Sequence, residues 1–133
     1  MTKDELIARN RKFAIEVLMT IDLLPNNRIY DALARQLVRS STSVGANYRA
    51  ACRAKSSKDF INKLKIIEEE IDESTYFLDL LFEIDKGQQR EKLKSLLNES
   101  NQLTSIYVAS LKTAKHNAKE FKENKAETKN RKS

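Results

Sequence analysis

The chain has 133 residues with 25 basic and 19 acidic side chains, a net charge of +6, and only 2 Gly, 1 Pro and 1 Cys. One ordinary domain of that size holds a core without staples; the scarcity of Gly and Pro favours helix over sheet, and a lone Cys excludes an internal disulfide. No apolar run approaches the ~20 residues of a membrane span, and the charged opening MTKDELIARNRKF lacks the apolar heart of a signal peptide, so a soluble cytoplasmic protein is expected.

The first helix carries Leu6, Phe13, Val17, Ile21 and Leu24 on one stripe, with Ala14 and Leu18 beside it. Thr2 and Glu5 have capping-box spacing at its start. Pro25-Asn26-Asn27 ends it, because Pro25 disfavours helical geometry at Leu24, and Asn26 or Asn27 offers a cap for the next.

The second helix is expected from about Arg28 to about Ala54, with Ile29, Leu33, Leu37, Val44, Tyr48 and Cys52 on its core side. From Ser40 to Ala46 its side chains become very small, and Gly45 within it costs about 1 kcal/mol relative to Ala. Two readings stand: a close helix–helix approach that offsets this cost, or a kink.

Ser56-Ser57-Lys58-Asp59 starts a third helix with a capping-box-like motif. Its stripe runs through Phe60, Leu64, Ile67, Ile71, Leu78 and Leu81, and Gly87 stands just past its end. A fourth helix follows through Leu93, Leu96, Leu97, Leu103, Tyr107, Leu111, Ala114 and Ala118, and from about Lys115 it reads as a fraying, partly disordered basic tail. Short connections make neighbours antiparallel, so the expected fold is all-α: an up-down-up-down four-helix bundle over 1–114 with the tail at 115–133.

Charge is unevenly spread along this scaffold. Residues 28–58 carry 7 basic and 1 acidic side chains, residues 59–85 carry 2 and 9, and residues 112–133 carry 8 and 3. Arg35, Arg39, Thr42, Ala46, Arg49 and Arg53 recur in steps of four and three, which lines them along one helix face. Four guanidinium forks over about five turns can track a phosphate backbone, and Lys55 and Lys58 extend the line into the following loop. The first reading is contact with structured nucleic acid, RNA foremost. The second is electrostatic assembly, in which Glu68, Glu69, Glu70, Asp72 and Glu73 pair with those arginines within or between subunits.

Catalytic chemistry finds no foothold. A bundle carboxylate-metal site needs Glu-x-x-His on two helices, and the single histidine, His116, lies in the tail. Cys52 has no His in its element, Ser40–Ser43 lacks a base, and the two glycines stand alone rather than forming a phosphate-cradling loop. No enzyme, cofactor or metal is expected.

Ser43-Val44, Ala46-Asn47, Arg53, Ser56, Phe60, Leu64 and the acidic run through Glu73 resemble the signature of the four-helix-bundle proteins related to those encoded in 23S rRNA intervening sequences, also labelled S23 ribosomal protein. The resemblance spans roughly Phe13 to Leu111. Where many members have an Ile-Ala-Glu-Gly-like stretch, this chain has Tyr48-Arg49-Ala50-Ala51, so anything depending on that Glu and Gly does not transfer. The resemblance implies a bundle assembled as a homopentameric ring. It is also similar to the accessory protein of diversity-generating retroelements, which implies a nucleic-acid partner and a protein partner such as a reverse transcriptase.

Overall fold

The computed structural model describes residues 1–132, with side chains through residue 129. Four helices follow one another: α1 (Lys3–Asp22), α2 (Arg28–Ala51), α3 (Ser57–Ile84) and α4 (Arg90–Lys132). Local chemistry sets the starts. The Thr2 hydroxyl accepts from the Glu5 amide while the Glu5 carboxylate accepts from the Thr2 amide, a complete capping box. Asn27 Oδ1 accepts from the Ile29 and Tyr30 amides at 3.1 and 3.0 Å, and Ser56 Oγ accepts from the Asp59 amide at 3.1 Å.

The helices pack as a ring in chain order. α3 lies between α2 and α4, α1 lies against α2, and α1 closes on α4 over the shortest contact; the diagonal pairs make no close backbone approach among the described residues. The shared interior holds Phe13 and Val17 of α1, Leu37 and Val44 of α2, Leu64, Ile67, Ile71, Leu78 and Leu81 of α3, and Leu93, Leu103 and Tyr107 of α4. Side chains at steps of three and four meet in one seam, and their burial drives the assembly.

The small-residue stretch of α2 brings helices together on two sides. A Cβ placed on Gly45 would stand 3.4 Å from the Asn10 Cβ of α1, and α2 runs as unbroken helix through this position, so close approach replaces the kink. On the other side the buried Ser40 hydroxyl meets that of Ser74 in α3 at 2.9 Å. Thr75 donates to Ser100 of α4, also at 2.9 Å, so a layer of short hydroxyl residues ties α2, α3 and α4 at mid-height.

Several boundaries differ from the sequence reading. α2 ends at Ala51, because Cys52 forms its cap and Arg53 and Ala54 turn away through bonds to the carbonyls of Ala50 and Ala51. Ile29, expected in the core, is 66% exposed; it occupies the first turn at the bundle's end, where Tyr30 turns inward instead and donates to Asp85 at 3.2 Å. α3 ends in extended backbone at Asp85 rather than in a left-handed glycine, and Gly87 has no positive φ. Arg90 covers the freed carbonyls of Phe82 and Asp85 at 3.1 and 3.2 Å while its guanidinium sits 4.2 Å from the centre of the Phe82 ring.

The largest difference lies in α4. Helix continues from Lys115 through Lys132, although nothing from Lys119 through Lys129 is buried. The stretch has neither Gly nor Pro and is rich in Lys, Glu and Ala, all strong helix formers. Apolar content therefore marks where burial stops, and not where the helix stops.

Candidate nucleic-acid interface

Helix geometry places the arginine stripe and the core on opposite sides of α2. At about 100° per residue, Leu37, Val44 and Ala51 face one direction and Arg35, Arg39 and Arg49 face the other. Burial agrees: the first three are buried and the three arginines exposed. Arg28, exposed in the first turn and seven residues before Arg35, belongs to the same line; extending the spacing by one heptad finds it. Arg53 lies beyond the helix end, Lys55 in the turn and Lys58 in the first turn of α3, all exposed.

The members of the line are not equivalent. Arg39 reaches across to α3, where its guanidinium bonds Glu70 at 3.2 Å and also pairs with Glu73, and its Nε contacts Gln36 at 3.4 Å. The hydrogen bond that Arg39 donates to Glu73, with the charges of Glu70 and Glu73, holds its guanidinium above the ordinary range against some desolvation. Arg35, Arg49 and Arg53 have no carboxylate within salt-bridge reach among the described residues. The remaining acids, Glu68, Glu69 and Asp72, line with Lys65 and Thr104 a separate α3–α4 groove of about 360 Å³.

Antiparallel packing gathers cations at one pole. The start of α1 with Lys3, the end of α2 with Arg49 and Arg53, the turn with Lys55, the start of α3 with Lys58 and the outgoing α4 with Lys112, Lys115 and Lys119 all lie there. A cleft of about 440 Å³ bounded by Lys3, Tyr48, Cys52, Ser57 and Phe60 opens on this pole. Burial and the adjoining Cys52 thiol push the Tyr48 phenol up to about 12, so it stays neutral at physiological pH. No grouping of three His, Cys, Asp or Glu side chains suited to a metal occurs among the described residues, and none of the described helices is long and apolar enough to cross a membrane.

An all-helical bundle whose one pole carries these cations alongside Asp4, Glu5 and Asp59 defines the class of protein: a small helical module with charged outer faces and an apolar, hydroxyl-layered interior. Residues 3–109 match the model of the 23S rRNA-intervening sequence protein family, and the chain belongs to that family. A crystal structure of a protein of unknown function from the S23 ribosomal protein family of Bacteroides thetaiotaomicron is 33% identical. It covers 84% of this chain and 99% of its own, with a TM-score of 0.73. No curated protein matches the chain.

Proposed function

We propose that this chain is a non-enzymatic, homo-oligomeric bundle of the cytoplasm that presents its cationic surface to structured nucleic acid, RNA foremost. The observation that carries the reading is the set of exposed cations without carboxylate partners among the described residues: Arg35 and Arg49 on the outer face of α2, continued by Arg53, Lys55 and Lys58 through the turn into α3. Fixed on a rigid helix, such guanidiniums exchange condensed counterions for direct phosphate contacts.

Assembly into a homopentamer is part of the proposal. Ile15, Leu18 and Met19 on α1 and Leu23 at its cap stand at least one-third exposed, and a further copy would cover such a face. A second reading keeps the charge for assembly alone, with or without a protein partner; the Arg39 pairing with Glu70 and Glu73 favours it for that one arginine.

Titration of the full chain with a hairpin RNA across a salt series separates the two. The nucleic-acid reading expects a steep salt slope that falls by about 1 for each arginine reversed in R35E/R49E, with oligomer size unchanged. Dissociation of the oligomer by the same substitutions, with no RNA bound by the wild type at low salt, would establish the assembly reading instead.

A further inference from the structure

The α4 extension is sorted by charge. Taken at about 100° per residue, Lys115, Lys119, Lys122, Lys125 and Lys129 fall within about a third of the helix circumference, and Glu120, Glu123 and Glu127 fall on the adjoining arc, Glu123 one turn from Lys119. His116 joins the acidic side through its contact with Glu120. Each lysine stands three or four residues from the next, so the helix carries successive like-charge neighbours, an arrangement that opposes an isolated helix. A polyanion lying along that face turns the repulsion into attraction.

Beside the lysines runs the continuation of the core seam. Leu111, Ala114, Ala118 and Phe121 follow in steps of three and four, but the bundle ends before the last of them, and Phe121 is 66% exposed. Between it and the first turn of α3 lies an open cleft of about 340 Å³ bounded by Ser57, Phe60, Ala114, Asn117, Ala118 and Phe121. An aromatic side chain at the edge of a cleft, flanked by a row of cations, is the combination that binds an unpaired nucleotide: the ring stacks on the base and the cations take the phosphates. A lipid surface fits less well, since a single phenylalanine supplies too little apolar area for an interfacial helix. The family match ends at residue 109, so Phe121 and the lysines lie beyond the matched residues while Ser57 and Phe60 lie within them.

We propose that the pole of the bundle captures a single-stranded segment adjoining a nucleic-acid duplex, one base entering the Phe60–Phe121 cleft while the strand's phosphates run along Lys115, Lys119, Lys122, Lys125 and Lys129. This rests on the nucleic-acid reading above but uses different residues. It divides the ligand: duplex along α2, unpaired strand along α4.

The test compares the full chain binding a hairpin RNA that ends blunt, the same hairpin with a short oligoadenosine extension, and the hairpin with an abasic extension of equal length. The expected result is tighter binding of the oligoadenosine form than of the other two. Phe121→Ala should erase that gain by about 5- to 100-fold, the range of base–aromatic stacking, and Phe121→Trp should preserve it. Phe121 is exposed, so neither substitution threatens the fold. Equal binding of blunt and extended hairpins, or an unchanged gain in Phe121→Ala, overturns this inference and leaves the α2 reading standing. Binding of no RNA, with sedimentation on phosphatidylserine vesicles, overturns both.

Discussion

The Asn10 side-chain amide of α1 donates a hydrogen bond to the Tyr107 hydroxyl of α4 at 2.6 Å, inside a core where both residues are closed to solvent. Asn10 Oδ1 has no partner there. The Tyr107 ring meets Tyr48 of α2 edge-on at 5.8 Å, so Tyr107 ties α4 to α1 through a hydrogen bond and to α2 through its ring.

Removing one side of this pair leaves the other buried and unsatisfied. Tyr107→Phe strands the Asn10 amide, and a loss of about 1–3 kcal/mol is expected. Urea unfolding measures it. Because the cost arises from a stranded group, adding Asn10→Leu to Tyr107→Phe should recover part of the loss, giving a non-additive cycle.

Stability should fall in alkali. Burial raises the Tyr107 phenol above its ordinary value of 10.0, outweighing the opposite effect of its bond to Asn10, and raises Tyr48 to about 12. The unfolded chain therefore loses these protons first. The stabilising effect of keeping both phenols neutral is fully present below pH ~10 and is lost as pH rises from there through the folded values. The urea midpoint should decline over that range, and Tyr107→Phe should flatten the decline.

Gly45 lies where α2 passes close to Asn10 of α1. Gly45→Ala should stay within about 1 kcal/mol of the wild type, because the gain in helix propensity is opposed by a new contact at 3.4 Å with the Asn10 Cβ. Gly45→Leu adds bulk beside Asn10 of α1 and should lose about 1–3 kcal/mol. Thermal unfolding of both variants checks the ordering.

Arg39 should behave unlike its neighbours. It is already engaged by Glu70 and Glu73, so Arg39→Ala should weaken RNA binding less than Arg35→Ala or Arg49→Ala. Its ion pairs with Glu70 and Glu73 lie at the surface and should contribute little to stability. Equal effects of all three on RNA affinity would mean that RNA displaces the acids.

What the sequence reveals follows from the range of each interaction. Thr2 with Glu5, Asn27 and Ser56 are legible because a cap is settled within three residues. The core stripe of α3 is legible because its neighbours on both sides keep one face buried throughout. Ile29 misleads because periodicity gives direction around a helix and says nothing of where the bundle ends. Asn10 escapes notice although it occupies an apolar slot, four residues after Leu6 and three before Phe13; a polar residue at such a position is the sign of a buried partner. Among the candidate site residues, spacing correctly places Arg35, Arg39 and Arg49 on one solvent face. It does not reveal that Arg39 is engaged, since that depends on the register of α3 against α2. Lys58 belongs to α3 rather than to the loop, and the lysines beyond Lys115 gain a common face only once that segment is helix.

The ring of helices is uneven around its circumference. α3 grips both its neighbours along their length, whereas α1 meets α4 over a shorter contact that includes the Asn10–Tyr107 bond, the ion pair of Arg9 with Glu99, at 3.0 Å through Nε, and a bond from Arg9 to Gln102 at 2.8 Å. Glu99 also holds the Arg9 guanidinium above its ordinary range. The molecule thus resembles a three-staved trough with a fourth stave seated on the shared core through Leu6, Phe13 and Val17 and latched along its α4 edge by an ion pair. Salt should loosen that latch before it touches the trough, and amide hydrogens of α1 should exchange ahead of those in α3.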